Sequence, residues 1–351
     1  MAPCLWRENS KTGAHPAFPD LFPFFTRLRF LILHVGFTIT SFSDEDEKNP
    51  DIHSKNVKKE EKINMNKIAK IAALAALALT CVASTACADF SADKSITVIS
   101  REEGSGTRGA FVELTGVEQK IDGKKVDMTT DDAQITNNTA AMLMTVAGDT
   151  QAIGYISLGS LNETVKAVKI EGVEATAQNV ADGSYKIARP FNIAYKADGQ
   201  SDLSKDFIAY VMSAEGQAII NENGYVGSSD AAAYAANGAS GKLVVGGSSS
   251  VSPVMAKLIE AYKAVNANAD IELLTSDSTT GMTSAIEGTY DIGMASRELK
   301  EDEAAALAHQ AIAMDGIAVI VNLENPTEDM TVEQIASIFL GDATKWNEMV
   351  K

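Results

Sequence analysis

Ile96-Thr97-Val98-Ile99-Ser100-Arg101-Glu102-Glu103-Gly104-Ser105-Gly106-Thr107-Arg108 runs from a β-branched segment through a glycine- and hydroxyl-rich turn into the amphipathic segment Gly109-Ala110-Phe111-Val112-Glu113-Leu114. The order is strand, tight turn, helix. Such a turn aims backbone N–H groups and the positive end of a helix dipole at one spot. Ser105 and Thr107 add hydroxyl donors there, and Arg101 adds a planar cation suited to bidentate contact with an oxyanion. A single match of this kind also reads as an ordinary capped turn, so recurrence matters. Gly246-Gly247-Ser248-Ser249-Ser250-Val251-Ser252-Pro253 follows the strand-like Lys242-Leu243-Val244-Val245 and leads into a helical pattern from Val254. Ile271-Glu272-Leu273-Leu274 likewise runs into Thr275-Ser276-Asp277-Ser278-Thr279-Thr280-Gly281. These repeated strand-to-helix turns point to one ligand surrounded by N–H and O–H donors.

Composition narrows the class. Beyond a leader, about 260 residues remain, room for two domains of ordinary size, with strands and helices alternating throughout. The pattern is α/β. Asp and Glu total 47 against 30 Lys and Arg, a formal charge of −17, which argues against attraction to nucleic acid. An anion therefore has to be held by local dipoles and one or two arginines. Cys4, Cys81 and Cys87 all lie in the leader, as do His15, His34 and His53. That leaves the body with no disulfide, no thiol nucleophile and no Cys/His metal set, and no cofactor is expected. His309 lies in the polar run Glu301–Gln310, which reads as a solvated helix face.

The segments GGSSSVSP, SDSTTGMTSAIEGTYDIGMASREL, MDGIAVIVNLENP and SREEGSGTRGAF resemble those of the phosphate-binding proteins of bacterial phosphate ABC transporters, over residues 94 to 351. The resemblance implies a two-lobed periplasmic-binding-protein-like fold, α/β, with a hinge and a ligand cleft. It also implies a receptor, not an enzyme, that binds inorganic phosphate and delivers it to a membrane permease. The motif order differs from the commoner family arrangement, in which the GSSSVSP-type turn comes first. The chain therefore looks circularly permuted, with Ala231–Gly241 as the join, and a truncated tandem duplication is the rival explanation. On this reading residues 94–187 plus 318–351 form one lobe and residues 188–317 the other, with crossovers at Arg189–Ala194 and Asp315–Asn322.

Carried over residue by residue, the resemblance implies that Arg101, Ser105, Gly106 and Thr107 bind the anion from one lobe and Ser249, Ser250 and Ser278 from the other. Helix capping is the plainer reading of the serines, and a surface ion pair that of Arg101. Some members have an Asp, as acceptor of the phosphate proton, where this chain has Ser296. Asp315, Asp277 and Glu103 are the candidate acceptors, Asp315 first for its place before the crossover, Glu103 second as a partner that orients Arg101. Another tetrahedral oxyanion (sulfate, molybdate or tungstate) suits the same turns. A serine-dependent hydrolase lacks an evident base.

Met65-Asn66-Lys67-Ile68-Ala69-Lys70-Ile71 and the Ala/Leu run to Leu79 read as a secretory signal through residue 87. Ser84-Thr85-Ala86-Cys87 resembles a lipoprotein cleavage box, which makes Cys87 the candidate lipidation site and the outer face of the cell membrane, or the periplasm, the expected location. Cleavage after Ala88 is the alternative. Residues 1–64 fit no export logic and read as an extension ahead of a start at Met65, and a monomer is expected.

Overall fold

The computed structural model describes residues 89–349. The extension at 1–64, the leader at 65–87 and the Cys87 lipidation site lie outside the described residues. Among the described residues no helix is long and apolar enough to cross a membrane.

The strands are β1 (Thr97–Arg101), β2 (Glu118–Ile121), β3 (Lys124–Asp127), β4 (Gln134–Thr136), β5 (Ala152–Ser157), β6 (Lys166–Ala167), β7 (Lys169–Ile170), β8 (Ala188–Tyr195), β9 (Gly241–Ser248), β10 (Ala269–Ser276), β11 (Ile292–Ala295), β12 (Ala308–Val321) and β13 (Asp329–Met330). Nine of them join one sheet in the order β10-β9-β11-β8-β12-β5-β1-β4, with β6 beside β12. Pairing is parallel at each end of that sheet, β10/β9/β11 and β5/β1/β4, and antiparallel where β8 and β12 cross its middle.

Four helices begin at the ends of parallel strands of the main sheet, α1 (Gly106–Thr115) after β1, α2 (Thr139–Gly148) after β4, α6 (Ser252–Val265) after β9 and α7 (Ser278–Glu287) after β10, while α3 (Ala177–Ala181), α4 (Asp202–Val211) and α5 (Ala214–Glu222) lie between α2 and α6 in the chain. Their starts are encoded locally. Ser105 caps α1 by accepting from Arg108 N, Asn138 caps α2 and Asp277 caps α7. Pro253 occupies the first turn of α6, where its missing N–H costs nothing. The short α8 (Glu301–Ala306) ends before His309, which lies exposed on β12 and pairs with Ala194 of β8. The helix-face reading of His309 is thus corrected: Leu307 leaves the helix in extended geometry, and β12 claims the residues that follow.

The apolar side chains separate into cores along β12. Ile312 and Ala313 join Phe191, Phe207, Val245, Leu258 and Tyr262 in the first core. From Ile317 onward the odd residues join Val98, Phe111, Tyr155, Phe339 and Trp346 in the second, while Ala318 and Ile320 face Ile99, Met142 and Ile156 in a third. This alternation fixes directions. Along β1, Val98 and Ser100 face the second core and Ile99 and Arg101 the third. Asp315 shares the side of Ile317.

Close approach of β9, β11 and α7 is set at Gly247, whose φ is 136° and whose added Cβ would lie 2.9 Å from Met294 N. Gly247→Ala is expected to lower stability by about 2–4 kcal/mol in urea denaturation, since both the dihedral and the packing are violated. A loss under about 0.5 kcal/mol would contradict this packing.

Candidate functional site

The ends of β1, β9, β10 and β11 bring the hydroxyl-rich turns together. Arg101, the last residue of β1, is 1% exposed. Its Nε and Nη2 donate to the Glu102 carboxylate at 2.7 and 2.6 Å, and Nη2 also donates to Ser249 Oγ at 3.0 Å. Its Nη1 is buried with no partner among the described residues. The backbone is pinned as well, Arg101 N–H donating to Tyr155 Oη at 3.2 Å and Arg101 O accepting from Arg108 Nη1 at 2.8 Å. Burial pushes the Tyr155 phenol up to about 12, so it stays a neutral anchor.

Around this guanidinium the two halves of the sheet meet through hydroxyls. Thr107 Oγ1 and Ser250 Oγ are 2.8 Å apart, and Thr139 Oγ1 approaches Ser249 Oγ at 3.4 Å. Ser248 Oγ donates to Ser296 Oγ at 2.9 Å, while Ser278 Oγ accepts from Ser296 N at 3.0 Å. Gly106 sits against this group so closely that an added Cβ would lie 2.8 Å from Ser296 Oγ and overlap Ser278. Thr279 N–H reaches across to Gly104 O at 3.2 Å. Arg101, Ser105, Thr107, Ser249, Ser250, Ser278 and Ser296 are all buried, so this is a closed arrangement.

The structure therefore gathers Arg101, Gly106, Thr107, Ser249, Ser250, Ser278 and Ser296. Ser105 stands at the same turn, its side chain accepting from Arg108 N at 3.3 Å as a helix cap. The Ser250 N–H already donates to Ser248 Oγ at 3.3 Å, leaving that residue's hydroxyl as its contribution. The first-turn amides of Gly106 and Thr107 have no acceptor within α1. Three members were not singled out from sequence. Glu102 neighbours Arg101 in the chain, Ser248 lies two residues before Ser250, and Thr139 follows the capping Asn138, so each sits within a recognisable turn.

The carboxylate assignments change. Glu103 is exposed in the turn and does not touch Arg101. Glu102 takes that place because it continues the extended backbone of β1, whereas the turn closed by Ser105 N–H on Glu102 O directs Glu103 outward. Asp277 is occupied as a cap, accepting from Thr280 N at 2.8 Å and Thr280 Oγ1 at 2.6 Å. Asp315 is buried, but it accepts from Arg189 Nη2 at 3.0 Å and Ser157 Oγ at 2.9 Å, on the side of the sheet opposite Arg101. Burial pushes its carboxyl up to about 6 against the opposing pull of Arg189 and Ser157. No hydrogen bond links Asp315 to the hydroxyl cluster.

Arg108 and Arg297 are committed to other carboxylates. Arg108 Nε pairs with Asp127 at 2.6 Å, and Arg297 makes a two-pronged pair with Glu303 at 2.6 and 2.8 Å. Among the described residues the clustered serines hydrogen-bond to one another and to Thr107, Thr139 and Arg101. No group of three or more metal-ligating side chains occurs among the described residues. The cluster's chemistry is dense donation to an acceptor, with one cation fixed at its edge.

Residues 32–215 and 232–350 match the family described as PBP superfamily domain. The chain is 52% identical over 263 residues to phosphate-binding protein PstS 2 of Streptococcus agalactiae serotype V, covering 74% of this chain and 90% of that protein. It is 44% identical over 272 residues to phosphate-binding protein PstS 2 of Streptococcus pneumoniae serotype 4, covering 77% and 93%. A solved structure, the phosphate-binding protein of a phosphate ABC transporter from Streptococcus pneumoniae TIGR4, is similar with a TM-score of 0.60 and 45% identity, over 73% of this chain and 99% of that one.

Glu102→Ala leaves the buried Arg101 cation uncompensated and is expected to cost about 1–3 kcal/mol of stability. Glu103→Ala should stay within about 0.5 kcal/mol of the parent. Denaturant melts of the two variants check the pairing, and equal losses would refute it.

Proposed function

From the premise that the chain belongs to the PBP superfamily, among the phosphate-binding proteins of ABC transporters, we propose that it is an extracytoplasmic receptor that binds inorganic phosphate and delivers it to an ABC permease. It makes and breaks no covalent bond. The observation that carries this reading is Arg101: a fully buried guanidinium with Nη1 unpaired, set among hydroxyls contributed by both halves of the sheet. An unpaired charged donor is costly in a dry interior, and a tetrahedral anion offers the acceptors it lacks.

The roles follow from the geometry. Arg101 supplies charge, Gly106 and Thr107 supply first-turn amides, and Thr107, Ser249, Ser250 and Ser278 supply hydroxyls. Phosphate near neutral pH carries a proton and sulfate does not. Ser296 and Ser248, whose hydroxyls both donate and accept, can accept a hydrogen bond from that proton, while Asp315 is engaged by Arg189 and Ser157. The two ends of the sheet act as the lobes of a clamp, residues 94–187 with 318–351 and residues 188–317, hinged at β8 and β12.

Two features of organisation belong to the same reading. The body is a circular permutation, supported by the contact of Ala92–Ile96 with Thr344–Asn347: Asn347 N donates to Ala92 O at 3.0 Å and Ile96 N to Thr344 O at 2.8 Å. The chain is held at the membrane surface by a lipid on Cys87, supported by the basic-apolar-small pattern that precedes it.

Calorimetric titration with phosphate, sulfate and molybdate tests the function. The parent should bind phosphate stoichiometrically and preferentially. Arg101→Ala should weaken it about 30- to 1000-fold, the loss of a charge-assisted bond in a desolvated site. A folded parent that ignores phosphate, or an Arg101→Ala variant within about threefold of it, overturns the proposal.

A further inference from the structure

Among the described residues β2 and β3 pair only with each other, yet their hairpin reaches the site through one side chain. Asp122 and Gly123, at φ 52° and 79°, turn the chain between the two strands, so the hairpin that leaves the end of α1 brings Asp127 back to the first turn of that helix. There Asp127 Oδ2 accepts from Arg108 Nε at 2.6 Å, and Oδ1 accepts from Thr129 N and Oγ1 at 2.9 and 2.6 Å. Held in this way, Arg108 Nη1 donates to Arg101 O at 2.8 Å.

Arg101 needs that donor. The register of β1 with β5 stops at Val98, so the peptide groups of Arg101 that face β5 meet side chains instead of a strand. Tyr155 Oη accepts from Arg101 N–H at 3.2 Å, and Arg108 supplies the donor for Arg101 O. On the opposite edge Glu102 N donates to Thr136 O at 3.0 Å. Arg101 O and Glu102 N belong to one planar peptide unit, so Arg108 and Thr136 fix that plane from both sides. The plane in turn sets where the Glu102 carboxylate leaves the backbone to meet the Arg101 guanidinium.

We infer that Arg108 and Asp127 are positioning residues for the anion: without touching it, they fix the Arg101–Glu102 peptide plane and with it the aim of the Arg101 guanidinium, so that the β2–β3 hairpin is an arm that sets affinity. Arg108 suits the task because its planar fork sends one N–H to a carboxylate and another to a carbonyl, which a lysine ammonium cannot do in fixed directions. Charge and position make opposite demands at Asp127. Removing a carboxylate near an anion site strengthens attraction of the anion by charge alone. Position requires weaker binding from Asp127→Asn, because the amide must turn its NH2 toward either Arg108 Nε or Thr129 N, donor against donor.

This inference rests on the phosphate-receptor reading, and the experiment separates the two. Phosphate affinity and dissociation rate are measured by calorimetry and stopped-flow for the parent, Asp127→Asn, Arg108→Lys and Lys125→Ala. Lys125 lies on the same hairpin and pairs with Glu113 and Glu118, which makes it the control. Asp127→Asn, and Arg108→Lys with its charge kept, are each expected to bind about three- to tenfold more weakly through faster dissociation, and Lys125→Ala to stay within about twofold of the parent. Tighter binding by Asp127→Asn, parent-like binding by either variant, or an equal loss in Lys125→Ala overturns the inference. Should one of the two variants fail to fold, the other decides. A parent that binds no phosphate defeats the receptor reading instead. The Arg101 Nε–H signal of the ligand-free proteins, read by NMR, then tests the positioning: a displaced signal in Asp127→Asn supports it, and coincident signals overturn it.

Discussion

The closed arrangement depends on one ion pair and the bond beside it: Arg101 held by Glu102 through Nε and Nη2, and reaching Ser249 from Nη2. A guanidinium at 1% exposure is tolerable only when its charge is matched and its donors are used. Glu102 matches the charge, Ser249 ties it to the opposite half, and one nitrogen is left for an incoming acceptor. The same residue thus locks its own geometry, couples two distant parts of the sequence and, on the proposed reading, supplies the cation of the site. Its backbone, fixed by Tyr155 and Arg108, explains why the strand end keeps its direction.

Everything else in the sheet serves to bring that strand end opposite β9 and β11. Parallel strands on either side deliver helix N-termini to a common region, which is the usual place for ligands in open α/β sheets. The two antiparallel crossovers make that region divisible. Because β12 gives its early residues to one core and its later residues to another, a turn about β8 and β12 need not break either core. The joint between them is polar, with Arg189, Asp315, Ser157 and Tyr225 where a continuous apolar layer would have fused the halves.

Much of this was legible in the sequence. The turns at Ser100–Arg108, Gly246–Pro253 and Thr275–Gly281 combine β-branched runs, glycine and capping hydroxyls, which are local signals, and the structure places each at a strand-to-helix junction. What was not legible depends on direction. Choosing Glu102 over Glu103 requires knowing where the extended backbone ends and the turn begins, a matter of one residue. Placing Asp315 requires the phase of a 14-residue strand and the partner opposite it: Arg189 lies 126 positions away in the chain, and no local pattern announces that contact. His309 fell on the wrong element for a similar reason, since alanines continue past the last helical turn into β12 without a glycine or proline to mark the change.

The most direct test is a crystal structure of the protein grown with phosphate. The account predicts a single tetrahedral ion within hydrogen-bond distance of Arg101 Nη1, contacting Gly106 or Thr107 from one half and Ser249, Ser250 or Ser278 from the other. An ion bound to one half alone, or seated away from an Arg101 that remains unpaired, would contradict it.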